Sequence, residues 1–276
     1  MIYNQKYMKK KLLILMCVIV LLSVFIYSVE YNRWKHLWEL VAPIESYTIA
    51  HQKDDTIKVV MIGDSWAGMH DGTIGDSVLE KELERSINCP VRFRSSGKGG
   101  ATSREIYELI FDNGKNGNRQ FFQNGVDYCI IFAGINDAAA NLGTSQFCHN
   151  YRHIIEFLLE NRIRPVVVEI PDVRIRSLYI GKPLKDLAVD YLRSIMTRCS
   201  IYNYSEYREA LNDMLSGSGL IDSVLYVKMT EWNKVCPNIS EGLFVEDGIH
   251  LNNYGYQQLD SCIVSALTKW HCKTRY

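Results

Sequence analysis

Five short apolar runs separated by stretches of helical periodicity constrain the fold of this 276-residue chain more than any other feature. Residues 57–62 (IKVVMI), 128–133 (YCIIFA) and 163–170 (IRPVVVEI) are near-continuous hydrophobic stretches, the pattern of buried strands. Residues 91–95 (VRFRS) alternate, and 223–228 (SVLYVK) form a fifth candidate. Between and after them, apolar side chains recur at i, i+3 and i+4 over residues 77–87, 103–111, 145–159, 184–197, 205–215 and about 254–270. Strands alternating with helices of this length build βαβ units: a parallel sheet of about five strands with helices on both faces. In such sheets function gathers beyond the carboxyl ends of the strands. Those ends carry Gly63-Asp64-Ser65, the glycines Gly97, Gly99 and Gly100, and Gly134-Ile135-Asn136-Asp137.

The N-terminal part is different in kind. From Leu12 to Val29 the chain reads LLILMCVIVLLSVFIYSV without a charge, and as a helix it spans roughly 27 Å, about the thickness of a bilayer core. Lys6, Lys9, Lys10 and Lys11 precede it, which predicts a cytoplasmic N-terminus and a body across the membrane. No small-x-small cleavage pattern follows, and Trp34 and Trp38 suit an interfacial belt, so a retained signal anchor is expected rather than a cleaved peptide. The expected organisation is a basic end and anchor over 1–30, a linker over 31–55 and one catalytic domain over 56–276. Lys plus Arg equal Asp plus Glu at 31 each, which excludes a partner held by phosphate neutralisation, and no nucleic acid is expected. Seven cysteines lie outside the apolar run, without CxxC spacing; one or two disulfides among them are open, and Cys129 reads as a small buried hydrophobe.

Ser65 leaves the first strand through a Gly-Asp turn, and a serine nucleophile needs a neighbouring base. His250, in Asp247-Gly248-Ile249-His250, has a carboxylate three residues earlier that can orient its imidazole. Gly100 can bring a bare backbone N–H close to a reacting oxygen, and Asn136 can offer an amide. Other features have plainer readings. Gly75-Asp76-Ser77 repeats the first triplet but follows no strand, and reads as a helix cap. His149 and His153 share a helix face without an acidic third ligand, so a structural role is expected. Arg174, Arg176, Lys182 and Lys185 read as a solvated face.

Together, GDSW at 63–66, SGKGGAT at 96–102, GIND at 134–137 and DGIHLNNYGY at 247–256 resemble the four sequence blocks of the SGNH (GDSL-type) hydrolases, in that family's order. The resemblance runs from residue 57 to the C-terminus. It implies a three-layer α/β/α sandwich of the flavodoxin-like kind, with Ser65 as nucleophile, His250 as base and Asp247 as its orienting acid. It assigns the oxyanion hole to the Ser65 N–H, Gly100 and Asn136, and it implies no metal or organic cofactor. Trp66 departs from the leucine common after the serine and either walls the acyl pocket or packs against the first helix. Ser95 and Ser96 stand where an asparagine often precedes the block-two glycines. The function implied is a membrane-anchored, outward-facing esterase that removes acyl groups, acetyl foremost, from surface or cell-wall polysaccharide. An O-acyltransferase using the same triad, a lysophospholipase or lipase, and a binding module with a relic triad are the alternatives. Oligomeric state is left open.

Overall fold

The computed structural model describes residues 2–51, 55–173, 180–201, 203–229 and 242–274. Arg174, Arg176 and Cys236, and the side chains of Trp34 and Trp38, lie outside the described residues. The chain divides into two compact units, 1–39 and 40–276.

The first unit is one helix, α1 (Ile2–Trp38). Its stretch Tyr7–Arg33 is long and apolar enough to cross a membrane. Within it the Ser23 hydroxyl donates to the Ile19 carbonyl at 2.9 Å, so its one serine in mid-span satisfies itself inside the helix.

The second unit is built on five parallel strands: β1 (Ile57–Gly63), β2 (Val91–Gly97), β3 (Tyr128–Phe132), β4 (Arg164–Val168) and β5 (Leu225–Val227). Their order is β2-β1-β3-β4-β5, with Gly63 beside Gly97 on one side and Phe132 on the other. Met61, Ile62, Ile130, Ile131, Val166 and Val167 at the sheet centre are fully buried. Each contributes on the order of 1.5–3 kcal/mol of apolar transfer energy, which is why the runs read as continuous rather than alternating.

Helices α2 (Ser65–Thr73) and α3 (Asp76–Ile87) connect β1 to β2, and the C-terminal helix α10 (Asn253–Thr274) packs beside α3 and α2. Helices α4 (Ser103–Phe111), α7 (Thr144–Glu160) and α9 (Tyr204–Gly217) form the opposing layer, with α4 beside α7 and α7 beside α9. Two short helices, α5 (Arg119–Phe122) and α6 (Ile135–Ala139), precede and follow β3, and α8 (Leu184–Thr197) follows β4. The direction of the chain reverses between β1 and β3, the switch point at which open α/β sheets hold their ligands.

Part of the segment expected as a linker is packed against this sandwich. Val41 and Ile49 are buried, the Ile44 N–H donates to the Tyr107 hydroxyl at 2.8 Å, and the Tyr47 hydroxyl donates to the Ile110 carbonyl at 3.0 Å. The Ile49 N–H reaches Asn161 Oδ1 at 3.3 Å, so the strap runs from α4 to the far end of α7. His149 Nε2 bonds the Val41 carbonyl at 2.9 Å and His153 Nδ1 lies 3.3 Å from Glu156 Oε2.

The second Gly-Asp-Ser triplet starts α3, as expected, but its aspartate side chain does not cap it. The N-cap of α3 is Gly75, without a side-chain cap bond. The Asp76 carboxylate instead accepts the Ser95 N–H of β2 at 2.6 Å and faces His70 Nδ1 at 2.9 Å. Lys182 pairs with Asp190, and Lys185 is exposed on α8. All seven described cysteines are free thiols; burial pushes the Cys129 thiol far above its ordinary pKa.

Candidate active site

Ser65 is the first residue of α2, directly after the sheet-edge turn of β1. Asp64 caps this helix, its Oδ1 accepting the Trp66 N–H at 2.9 Å. The helix therefore starts at Ser65, and the positive end of its dipole lies there. The Gly63-Asp64 turn delivers Ser65 as expected, onto a helix that Gly68 and Gly72 conceal by breaking the apolar period.

Across from Ser65 stands a self-bonded turn. The Ile249 and His250 N–H groups both donate to Asp247 Oδ1, at 2.8 and 2.9 Å. Val245 N–H donates to the His250 carbonyl at 2.9 Å, and Phe244 bridges to Leu251. These bonds turn the His250 ring so that Nδ1 meets Asp247 Oδ2 at 2.6 Å and Nε2 meets Ser65 Oγ at 3.0 Å. Residues 185 positions apart thus form one hydroxyl–imidazole–carboxylate chain, able to carry a proton away from Oγ. Burial alone would raise the Asp247 pKa. The His250 ring and the two N–H groups outweigh it and hold the carboxyl below its usual range, so it stays ionised against Nδ1.

Behind Ser65 two loops meet. Gly97, at the end of β2, lies against α2 so closely that a Cβ there would stand 2.2 Å from the Asp64 carbonyl and 2.4 Å from the Gly68 nitrogen. Only glycine lets the β2 loop approach the turn that carries Ser65. Gly97→Ala is expected to force these backbones apart at about 1–3 kcal/mol or more, measured as a lower unfolding midpoint together with reduced activity. Gly100 sits in the same loop at φ +74° with open space around it, so its requirement is conformational.

Asn136 follows β3 on α6 and donates from Nδ2 to the Ala101 carbonyl at 2.9 Å, and at 3.4 Å to Asp64 Oδ2. This brings Asn136 beside the Gly100 loop. Asp137, which the sequence reading passed over, holds the same junction: it accepts the Ser103 N–H at 2.9 Å and the Ser103 hydroxyl at 2.6 Å, tying α6 to the start of α4. Burial pushes the carboxyl of Asp137 up to about 6 and that of Asp64 up to about 7, against the N–H donors that lower them.

Trp66 is buried and lines a small cleft together with Asp64, Phe132, Ile135 and Ile170. Its ring lies 6.0 Å from Phe132 and 6.4 Å from Phe244, centroid to centroid. His70, also on α2, is fully buried between Asp76 and Asp260, with Nε2 3.1 Å from Asp260 Oδ1 on α10. No sequence motif announced this cluster, because its members belong to three separate helices.

The sequence pattern of the GDSL-like lipase/acylhydrolase family matches residues 61–258. No curated protein matches the chain. Among solved structures, a lipase/acylhydrolase from Enterococcus faecalis is similar at 17% identity, covering 77% of this chain and 96% of that one, with a TM-score of 0.52. A putative lipolytic protein of the G-D-S-L family from Desulfitobacterium hafniense is similar at 17% identity, over 76% and 98% of the two chains, with a TM-score of 0.51. An acetylxylan esterase from Geobacillus stearothermophilus is similar at 14% identity, over 76% and 93%, with a TM-score of 0.52. These identities carry likeness of fold, whereas the family pattern runs from the end of β1 through β5 and all four motif regions. The chain belongs to the GDSL-like lipase/acylhydrolase family and is a serine ester hydrolase.

Proposed function

We propose that this enzyme removes short acyl groups, acetyl foremost, from esterified polysaccharide outside the cytoplasmic membrane, held there by α1. The observation that carries the chemistry is the Ser65–His250–Asp247 chain, closed at 3.0 and 2.6 Å. His250 Nε2 takes the Ser65 proton as Oγ bonds the acyl carbon, while Asp247 holds Nδ1 and stabilises the imidazolium. The N–H groups of Ser65 and Gly100 and the Asn136 amide take the oxyanion. For Asn136 this means exchanging its 3.4 Å contact with Asp64 for the substrate while keeping the shorter one to Ala101. An Asp64 carboxyl raised to about 7 is partly protonated near neutrality, which limits the negative charge behind the oxyanion. His250 then returns the proton to the leaving sugar oxygen, and the acyl-enzyme is released by a water that His250 deprotonates. No metal or organic cofactor enters this scheme.

The polysaccharide substrate is supported by the fold shared with an acetylxylan esterase and by the N-terminal helix, whose preceding lysines favour an outward-facing body. One experiment tests both parts. Intact cells carrying the full chain are treated with a fluorophosphonate probe that cannot cross membranes, and detergent extracts are assayed on esters of rising acyl length and on acetylated polysaccharide. Labelling in intact cells, with acetate released faster than longer acids, is expected. Labelling only after lysis would reverse the topology, preference for long chains would make the enzyme a lipase, and acetate found on an added sugar would make it a transferase.

A further inference from the structure

We propose that Trp66 is a positioning residue for catalysis: its indole N–H fixes the His250 turn on the helix that carries Ser65. The proposal rests on the reading of His250 as the base. The hydrogen bonds within residues 244–251 set the internal shape of that turn and point the ring, but they do not locate the turn against α2. That placement needs a bond that crosses. Trp66 Nε1 supplies one, donating at 3.0 Å to the carbonyl of Ile249, the residue directly before the base.

Trp66 is itself held on three sides. Its backbone N–H is taken by Asp64, its carbonyl accepts the Tyr256 hydroxyl of α10 at 2.9 Å, and its ring packs between Phe132 and Phe244. It is 1% exposed, so water cannot replace the Ile249 carbonyl as acceptor. Nucleophile and strut are adjacent residues on one helix, so a shift of the helix start carries Ser65 and the strut, and with it the turn, in the same direction. A leucine at this position, as the resemblance would have it, fills space but donates nothing. Here apolar packing is supplemented by a directional bond beside a 3.0 Å proton-transfer contact. Misplacement of a reacting group by about 1 Å costs on the order of 100-fold in rate.

The test replaces Trp66 in the full chain, in detergent, with β-(3-benzothienyl)alanine, which keeps the bicyclic shape and exchanges N–H for sulfur. Trp66→Phe is the second variant and Tyr47→Phe the comparison. Three quantities are read: kcat and KM on a short-chain ester, the thermal midpoint, and the deshielded Nδ1–H proton signal of His250 in histidine-labelled protein. With the isostere, kcat should fall between about 10- and 100-fold with KM near wild type. The midpoint should barely move and the Nδ1–H signal should broaden or shift. Trp66→Phe should show at least the same fall in kcat, and Tyr47→Phe, which loses a single hydroxyl bond to Ile110 in the opposing layer and leaves the indole bond intact, should stay near wild type. An isostere with unchanged kcat and an unchanged signal overturns the proposal. So does a loss of activity that merely tracks the loss of folded protein while the signal persists. Should wild type prove inactive on every ester, the reading of the enzyme fails, and the His250 signal alone then decides the positioning role.

Discussion

Ser65→Ala is expected to lower kcat for ester hydrolysis by about 10⁶-fold, and His250→Ala by about as much. In the proposed mechanism neither residue works without the other. The hydroxyl is a weak nucleophile until the imidazole 3.0 Å away takes its proton, and the imidazole has nothing to deprotonate once Oγ is gone. The double variant should therefore be no slower than either single one, since the two act as a unit. Asp247→Ala should cost less, on the order of 10⁴-fold, because it orients and stabilises the ring rather than reacting. The bonds from Ile249 and His250 to Asp247 add a structural share to that loss, as the turn depends on them. Hydrolysis of a chromogenic acetate and fluorophosphonate labelling, with circular dichroism to confirm folding, measure all four proteins. A Ser65→Ala enzyme that still hydrolysed and labelled at a substantial rate would show that another residue attacks the ester.

The second large effect concerns His70. Burial alone would draw its pKa down, but the carboxylates of Asp260 and Asp76 more than reverse this and take it up to about 9. Folded His70 thus holds its proton more tightly than the unfolded chain does, where 6.5 applies. The stabilisation is fully present below pH 6.5 and is lost as pH rises through about 9. The shift corresponds to on the order of 3 kcal/mol. At roughly 2–4 °C per kcal/mol for a domain of this size, the melting temperature should fall visibly across that window. His70→Gln, which carries no charge, should melt lower at pH 6.5 and lose this slope. His70→Leu should be worse, by about 3–5 kcal/mol, because it leaves the buried Asp260 carboxylate without a partner. A wild-type melting curve unchanged between pH 6.5 and 9 would mean that His70 is neutral in the fold.

This cluster also bears on the active site. His70 lies on the helix that starts at Ser65, and Asp260 lies on the helix that follows His250. The charge pair therefore joins the two segments that meet in the proposed proton transfer.

Much of this architecture was readable along the chain. The runs around Val59, Phe93, Ile130, Val166 and Leu225 became β1 to β5, and six helical stretches became α3, α4, α7, α8, α9 and α10 within a few residues. The short strand β5 and the broken helix α2 were harder, since three strand residues and a helix with two internal glycines carry little periodicity. The strap from Val41 to Ile49 read as linker because its apolar residues have no period. Its burial comes from α4 and α7, which lie far along the chain.

Hydrophobic period is a local property, set by which face of a strand or helix must leave water, so the sequence alone determined the βα alternation and with it the strand ends that carry Ser65, Gly100 and Asn136. The motifs added Asp247 and His250 as candidates, three residues apart and therefore able to pair. Whether His250 reaches Ser65 across 185 positions, how Trp66 ties the turn, and why a second Gly-Asp-Ser joins a buried charge cluster were decided only by tertiary structure. Those contacts join residues on different elements. They exist only once the register of β1 against β2 and β3, and the seating of α10 beside α2 and α3, have brought distant segments within hydrogen-bond range.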